Sequence, residues 1–320
     1  MSRPLAVGVD IGGTKLAAGV VDGQGRIVDR LLRDTPDKAL RPVVVEDTVA
    51  ELVAELASRH DVRAVGVGAA GFVDAARGAV LFAPHLAWRE EPLRDALARR
   101  TGLPVVVEND ANAAAWAEWR FGAARGADQF ACVTLGTGIG GALVLDGALR
   151  RGASGVAGEF GHMQVVPDGL PCPCGNCGCW EQYCSGSALR RLARELLVAD
   201  PAAAAGLLAR AGGDPELLTG PLLVAAAGDG DPAALRVVAE VGRWLGVGLA
   251  NLAAVLDPAL LVIGGGVGEA GELLLGPARA AFRARLVGRG HRPEARIAPA
   301  ALGNAAGLIG AADLAAASAG

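Results

Sequence analysis

The chain has 320 residues and a mass of 32.1 kDa, with 52% hydrophobic and 20% charged residues. This composition excludes a disordered or fibrous protein, and the length corresponds to about two domains of roughly 150 residues each. The net charge of −4, from 30 Lys and Arg against 34 Asp and Glu, and the lack of a dense basic run argue against a nucleic-acid-binding protein.

The sequence contains no clear membrane span and no signal peptide. The longest apolar stretch, 247–263, is interrupted by Asp257 and Pro258, whereas a spanning helix needs about 20 mostly apolar residues. Asp10 and Lys15 interrupt the apolar N-terminal stretch. The cysteines are not spaced as a disulfide framework, because four of the six lie within residues 172–179. We therefore expect a cytoplasmic protein that binds neither membranes nor nucleic acid.

The first third of the chain begins with three apolar runs separated by glycine-rich turns, a pattern that predicts antiparallel strands. A helix, two buried strands and a second short helix follow, the first helix indicated by apolar residues at helical spacing. The predicted strands are 5–10, 16–21, 26–32, 64–68 and 104–107, and the predicted helices are 42–59 and 92–100. The order β-β-β-α-β-α-β predicts an α/β domain with a mixed sheet covered by helices.

The pattern then starts again after residue 108. A helix over 111–121 precedes a second hairpin with a glycine turn, which indicates a weak internal duplication. The predicted strands of this part are 130–135, 142–145, 161–166 and 260–263, and the predicted helices are 187–197, 221–227, 232–256, 269–286 and 305–317.

We place the domain junction near Glu108. This gives a small α/β domain over 1–108 and a larger α/β domain over 109–304 that contains a cysteine-rich loop at 162–181. The C-terminal segment could pack on either domain, and we assign 305–320 to the first.

Three glycine clusters follow predicted strands. The first, Asp10-Ile11-Gly12-Gly13-Thr14-Lys15, is by itself typical of an ordinary hairpin, although Asp10 could hold Mg²⁺ through water and Thr14 or Lys15 could reach a phosphate. The others are Gly136-Thr137-Gly138-Ile139-Gly140-Gly141 and Gly264-Gly265-Gly266. Glycines allow tight turns whose N–H groups can approach phosphate oxygens. Three such clusters at strand ends favour nucleotide binding over three incidental hairpins.

The cysteine-rich loop predicts a zinc site. Thiolate and imidazole ligands in tetrahedral number select Zn²⁺, and a fully liganded site is structural. Two ligand sets fit the spacing: His162 with Cys172, Cys174 and Cys179, or the four cysteines including Cys177. Buried free thiols are a weaker interpretation, because glycine and proline residues indicate a loop. Such a zinc ion would bring Glu159, His162 and Glu181 towards one pocket.

Asn109 and Asp110 lie where a predicted strand becomes a helix. Asn and Asp are favoured helix N-caps, so this position needs no other explanation. At a crease between domains, however, a carboxylate could accept the proton of a hydroxyl that attacks phosphorus. Asp110 is therefore a candidate general base.

Together these motifs resemble the ROK family of sugar kinases and sugar-responsive repressors, most closely its bacterial glucokinases. The resemblance rests on the first two glycine clusters, on Glu108-Asn109-Asp110-Ala111-Asn112, on Glu159-Phe160-Gly161-His162 and on the segment from Cys172 to Glu181. It implies a two-domain actin-like ATPase fold of the α/β class, with sugar and ATP in the cleft between the domains. It also implies transfer of the ATP γ-phosphoryl group to the 6-hydroxyl of glucose, with Mg²⁺ and structural Zn²⁺.

The resemblance assigns a role to each site residue. Asp110 would be the general base, and the sugar would be bound by Gly71, Asn109, Asp110, Glu159, His162 and Glu181. The nucleotide would be bound by Asp10, Gly12, Gly13, Thr14, Lys15, Gly136, Thr137, Gly138, Gly140, Gly265 and Gly266. Zinc would be held by His162, Cys172, Cys174 and Cys179, because the family varies at the position of Cys177.

Two departures from the family pattern are visible. The loop at 83–88 lacks an asparagine that is common in relatives, and no helix-turn-helix precedes the first strand, unlike in family repressors. The alternatives that stay open are a kinase for mannose, fructose, N-acetylmannosamine or N-acetylglucosamine, polyphosphate as donor, a non-catalytic sugar sensor, and a redox or metal-handling protein. The family also implies a homodimer or homotetramer.

Overall fold

The structure is a computed structural model that describes residues 4–13, 15–37, 41–83 and 86–318. The strands and helices of the first part of the chain are β1 (Ala6–Ile11), β2 (Lys15–Val21), β3 (Ile27–Asp34), α1 (Pro42–Ala57), β4 (Val65–Ala69), β5 (Phe72–Val73), β6 (Val80–Phe82), β7 (Arg89–Glu91), α2 (Leu93–Thr101), β8 (Val105–Asn109) and α3 (Asp110–Phe121). All seven elements that the sequence predicts for residues 5–107 are confirmed, with ends shifted by two residues or fewer.

The first sheet is mixed, in the order β3-β2-β1-β4-β8. The first three strands pair antiparallel, whereas β1, β4 and β8 run parallel. Strands β1, β2 and β4 are almost entirely apolar and buried, as expected for strands covered on both faces. Strand β3 lies at the edge of the sheet, and it contains four charged residues among its eight and none that is buried.

A small antiparallel sheet of β5, β6 and β7 follows β4 and was not predicted. Its strands have only two or three residues each, too few for a periodic pattern to be visible in the sequence. Residues 84 and 85 of the adjoining loop lie outside the described residues, so the expectation for the loop at 83–88 stays a prediction.

The strands and helices of the rest of the chain are β9 (Gln129–Leu135), β10 (Ile139–Leu145), β11 (Ala148–Leu149), α4 (Gly186–Ala199), α5 (Ala205–Arg210), α6 (Gly220–Gly228), α7 (Pro232–Leu256), β12 (Leu260–Gly264), α8 (Glu272–Arg285), β13 (Arg296–Pro299) and α9 (Ala306–Ser318). Their sheet has the order β11-β10-β9-β12-β13, with β12 parallel to both β9 and β13. Both five-stranded sheets therefore have one strand order, third-second-first-fourth-fifth, which is the duplication that the sequence indicated only weakly.

The predicted strand at 161–166 is wrong. Phe160–His162 form a short 3₁₀ turn, and the residues after it bond to the cysteine-rich segment instead of joining a sheet. Met163 accepts a hydrogen bond from the N–H of Trp180 (2.8 Å), and the N–H of Val165 donates to Gly178 (2.9 Å). A short apolar run does not show with which segment its backbone will form hydrogen bonds.

The predicted helix at 269–286 begins later than expected. A 3₁₀ turn at Gly268–Ala270 precedes α8, and Gly271, with φ +55°, separates the two. A residue with positive φ cannot continue a right-handed helix, so α8 starts at Glu272.

Helix α9 is buried from Ala306 to Ala316 and lies against β1, β4 and α3. Its close approach depends on glycines. A Cβ on Gly66 of β4 would lie 1.8 Å from the carbonyl oxygen of Ala311, and one on Gly310 would lie 1.7 Å from that of Ala113. These positions therefore admit only hydrogen as a side chain.

The chain divides into two compact units. One comprises Met1–Asp128, Ala142–Gly158 and Asn304–Gly320, and the other Gln129–Gly141 and Glu159–Gly303. The boundary that we predicted near residue 108 stays a prediction. Among the described residues, α7 is the one helix long and apolar enough to cross a membrane, but 61% of its most apolar window is buried inside the protein.

Candidate active site

Two acidic residues lie at the carboxyl edge of the first sheet. Asp10 on β1 pairs with Gly68 on β4, and Ala69 pairs with Asn109 on β8, so the ends of three parallel strands meet there. Gly68 has no side chain, and a Cβ at that position would lie 3.7 Å from the Cα of Asp110. Open α/β sheets bind ligands at this edge.

Asp110 is the first residue of α3, and its Oδ1 accepts the N–H of Ala111 at 2.9 Å. Burial raises the pKa of the Asp110 carboxyl above its ordinary value. Burial, followed by the negative charge of Asp110, raises the pKa of Asp10 to about 7. A carboxylate with a raised pKa is suited to accept a proton near neutral pH.

The side chain of Asn109 makes contacts that hold the local structure. Its side-chain oxygen accepts the N–H of Asn112 (3.0 Å) and so caps α3, and its side-chain nitrogen donates to the carbonyl oxygen of Gly71 (3.1 Å). The helix-cap interpretation therefore applies to Asn109. The contact also brings Gly71 and Asn109 together, as their predicted shared role requires.

The first glycine cluster is the tight hairpin between β1 and β2. The N–H of Gly12 donates to Lys15 (3.0 Å), and the carbonyl oxygen of Gly12 accepts the hydroxyl of Thr35 (2.8 Å). Gly13 is exposed, and Thr14 lies outside the described residues. The amino group of Lys15 forms an exposed ion pair with Asp34 on β3, a partner that the sequence did not indicate.

The second glycine cluster joins β9 to β10, and the N-terminus of α4 holds it. The N–H of Gly186 donates to Gly136 (2.8 Å), and the hydroxyl of Ser187 donates to the carbonyl oxygen of Thr137 (2.8 Å). Gly136 and Thr137 are exposed, and Gly140 is half-buried in β10. The support from Ser187 was missed, because the sequence shows only that a helix begins there.

Glu181 also contacts this turn. Its Oε2 accepts the N–H of Ile139 at 2.9 Å, and a Cβ on Gly138 would lie 2.0 Å from the same oxygen. A side chain at position 138 would therefore displace the carboxylate of Glu181 from its present place. Glu181, which we expected to bind the sugar, thus bonds through one oxygen to the glycine turn that we expected to bind phosphate.

The third glycine cluster ends β12, beside the end of β9. Gly265 has φ +81°, and a Cβ there would lie 2.5 Å from the carbonyl oxygen of Leu135, whereas Gly266 is exposed with open space around it. The N–H of Val267 donates to that same carbonyl of Leu135 (3.0 Å). The second and third clusters therefore lie side by side at the ends of two parallel strands.

The structure brings His162, Cys172, Cys174 and Cys179 together, with one ligand atom of each within 4.8 Å of all the others. The sulfurs of Cys174 and Cys179 are 3.7 Å apart, and Nδ1 of His162 is 3.8 Å from the sulfur of Cys172. Ligands of a tetrahedral ion with metal–sulfur bonds of about 2.3 Å are about 3.8 Å apart. This donor set fits a tetrahedral metal, and Cys177 is exposed outside it.

The turns on either side of the cysteine-rich loop are anchored. Glu159 directly precedes the 3₁₀ turn that contains His162. Trp180 is fully buried and its indole N–H donates to Trp244 on α7 (2.8 Å), while the hydroxyl of Tyr183 accepts the N–H of Leu170 (2.8 Å). Tyr183 had no signal in the sequence. Cys132 and Cys184 are buried outside the cluster.

The chain is similar to known proteins over nearly its whole length. A glucokinase from Streptomyces coelicolor is 49% identical over 311 residues, 97% of this chain and 97% of that protein. The structure of a ROK family glucokinase from Streptomyces griseus in complex with glucose and AMPPNP is 53% identical, with a TM-score of 0.91 over 97% of this chain and 99% of that one. The ROK hexokinase structure from Thermus thermophilus is 36% identical, with a TM-score of 0.77 over 98% of both chains.

These likenesses confirm the α/β actin-like fold that the sequence predicts. A model of the ROK family matches residues 6–318, nearly the whole chain. The protein therefore belongs to the ROK family.

Proposed function

We propose that this protein is an ATP-dependent glucokinase that transfers the γ-phosphoryl group of ATP to the 6-hydroxyl of glucose. The observation that carries this proposal is the likeness to the Streptomyces griseus glucokinase that binds glucose and AMPPNP, at 53% identity over 97% of the chain. The acidic residue that the reaction needs and the three glycine clusters are all in place in the sequence.

Asp110 is the proposed general base. Its carboxylate would accept the proton of the 6-hydroxyl as that oxygen attacks the γ-phosphorus. The raised pKa of Asp110 supports this role, because the basicity of a carboxylate increases with its pKa. Oδ1 of Asp110 accepts the N–H of Ala111, and we propose Oδ2 as the proton acceptor.

The proposed sugar ligands are polar groups that suit a substrate rich in hydroxyls. They are Gly71, Asn109, Asp110, Glu159, His162 and Glu181. A buried polar site discriminates strongly against a sugar that lacks a matching hydroxyl. For Glu181, the bond of Oε2 to Ile139 leaves Oε1 for a hydroxyl.

The proposed nucleotide ligands are the backbone and side-chain groups of the three glycine clusters. They are Asp10, Gly12, Gly13, Thr14, Lys15, Gly136, Thr137, Gly138, Gly140, Gly265 and Gly266. Lys15 would exchange its exposed partner Asp34 for a phosphate, a small cost because exposed ion pairs contribute about 0–1 kcal/mol.

Asp10 fits the proposed Mg²⁺ site. Its carboxyl is a hard oxygen ligand. Burial, followed by the charge of Asp110, raises its pKa and so makes its negative charge unfavourable, a cost that a divalent cation would relieve. When bound, the ion would supply positive charge to the phosphates of ATP.

We propose zinc as the metal of the cysteine-rich loop, with His162, Cys172, Cys174 and Cys179 as ligands. Three thiolates and one imidazole at tetrahedral separations are a typical structural zinc set. All four coordination positions are filled by protein, so the metal would stabilise the loop without taking part in phosphoryl transfer.

The wider setting follows from the same proposal. We propose a cytoplasmic enzyme that is a homodimer or homotetramer, with a small domain over 1–108 completed by 305–320 and a large domain over 109–304. Size-exclusion chromatography with light scattering tests the oligomeric state.

A coupled assay of ADP release tests the function. Glucose is expected to give the highest kcat/KM in a panel with mannose, fructose, N-acetylmannosamine and N-acetylglucosamine, and ATP is expected to be preferred over polyphosphate. A higher kcat/KM for another hexose would reassign the substrate. No turnover of any hexose would contradict the kinase and favour a sugar sensor.

A further inference from the structure

Glu108, two residues before the proposed base, has no role in the reaction described above. Glu108, the residue before Asn109, is a carboxylate that is only 1% exposed. Buried carboxylates are rare unless they are paired, so the partners of Glu108 indicate what it does.

Each oxygen of Glu108 lies within hydrogen-bond distance of two nitrogen atoms. Oε1 accepts the backbone N–H of Asn109 (3.1 Å) and the side-chain N–H of Asn112 (3.0 Å). Oε2 accepts Nε of Arg151 (2.7 Å) and lies 2.6 Å from its Nη2. The carboxylate is therefore fully bonded, and one side chain joins the first turn of α3 to Arg151.

Arg151 belongs to the segment 150–158 that follows β11. The segment closes on itself, because the N–H of Ala157 donates to the carbonyl oxygen of Arg151 (2.9 Å). It also packs closely against β5, since a Cβ on Gly155 would lie 2.2 Å from the carbonyl oxygen of Val73. In the chain, the segment leads directly into Glu159, a proposed sugar ligand.

We propose that the Glu108–Arg151 ion pair is a positioning device for the reaction: it fixes the backbone that carries Asp110 and ties it to the segment that leads to Glu159. This inference rests on the proposed function, since Glu108 and Arg151 would position Asp110 as the general base.

A purely stabilising role explains the pair less well. Replacing a buried ion pair by apolar residues is often neutral or stabilising, so a fold gains little stability from one. The directional bonds to Asn109 and Asn112, on either side of Asp110, instead restrict where the base lies. A misplacement of about 1 Å can lower a reaction rate about 100-fold.

The test compares Arg151→Met and Glu108→Gln with two matched controls in the full-length enzyme. Arg150→Met removes the neighbouring arginine, which forms an exposed pair with Asp146. Glu118→Gln alters another buried glutamate of α3, more than two turns from Asp110. Folding is measured by circular dichroism and thermal unfolding, and activity by ADP release with glucose.

We expect Arg151→Met and Glu108→Gln to lower kcat by about 10- to 100-fold. The KM for ATP stays within about twofold, because neither residue contacts a glycine cluster. The double variant loses no more than either single variant, since the two act as a unit. Arg151→Lys keeps the charge with fewer donors and restores part of kcat. The controls keep the wild-type kcat.

If Arg151→Met does not fold, Arg151→Lys is used to test the inference. We then expect its kcat to be several-fold lower than that of the wild type, with an unchanged KM for ATP. A kcat for Arg151→Lys and Glu108→Gln equal to that of the controls, or a loss proportional to the unfolded fraction, would overturn the inference.

Hydrogen exchange separates this inference from the proposed function. We expect the amides of Asn109 and Asn112 to exchange faster in Arg151→Met than in Arg150→Met, whether or not the enzyme phosphorylates glucose. Equal protection in the two variants would overturn the inference, whereas a wild-type protein inactive on every hexose would contradict only the proposed function.

Discussion

At the scale of single residues, the carboxylate of Asp110 is the most direct test of the mechanism. We expect Asp110→Asn to fold normally and to lower kcat by about 10²–10⁴, the usual contribution of a general base. The ADP-release assay measures the loss, and Asp95→Asn, at the exposed start of α2, is the control. A variant of Asp110 that folds and keeps a wild-type kcat would disprove its assignment as base.

Asp10 links the site to stability. Its pKa rises from 3.8 to about 7 in the folded protein, so folding favours the protonated form. The stabilisation by this proton is complete below about pH 4 and is lost as the pH rises through about 7. We therefore expect Asp10→Asn to raise the free energy of unfolding relative to wild type at pH 8 by about 1–4 kcal/mol, and by less at pH 5.

Urea unfolding at the two pH values, in buffer without added Mg²⁺, measures this difference. Asp37→Asn, outside the site, is the control. An equal effect of Asp10→Asn at pH 5 and pH 8 would mean that the carboxyl does not titrate in this range.

At the scale of elements, the cysteine-rich loop depends on its proposed metal. We expect Cys179→Ser to lose the metal and to lower the melting temperature, because the two turns at residues 160–162 and 180–182 would no longer be joined. Cys177→Ser should keep both, since this thiol is exposed outside the cluster. Elemental analysis and thermal unfolding measure the two effects, and loss of the metal in Cys177→Ser as well as in Cys179→Ser would support the four-cysteine set.

Two helical glycines give a matched pair for packing. Gly310→Ala places a Cβ 1.7 Å from the carbonyl oxygen of Ala113, and we expect it to destabilise the protein by about 3 kcal/mol or more through overpacking. Gly276→Ala in α8 meets only open space and should stabilise by about 0.5–1 kcal/mol, because alanine favours a helix. Urea unfolding compares them, and equal effects would show that α9 can shift to accept the methyl group.

At the scale of the whole molecule, the C-terminal end of the chain packs on the N-terminal part. Helix α9 belongs to the unit that contains residues 1–128, and it covers the apolar strands β1 and β4. We expect truncation after Gly303 to prevent stable folding of this unit, since those strands would lose their cover. Truncation after Ser318 is the control. Circular dichroism and limited proteolysis compare the two, and a protease-resistant first unit in the shorter chain would contradict the prediction.

Local patterns predicted most of the elements. The three opening strands, α1 and α7 have strong periodicity or punctuation, so their prediction needed no tertiary information. The short strands β5, β6 and β7 and the turn at Phe160–His162 could not be predicted, because their conformation depends on partners distant in sequence.

The candidate site divides in the same way. Its residue types and motifs, from Asp10 to the four cysteines, could be identified in the sequence and sufficed to indicate the ROK family. This was possible because phosphate turns and metal ligands need particular side chains at particular spacings. Only the tertiary structure revealed that Lys15 pairs with Asp34, that Glu181 bonds Ile139, and that Glu108 joins Arg151. Such pairings depend on which segments meet after folding, and no local pattern in the chain specifies them.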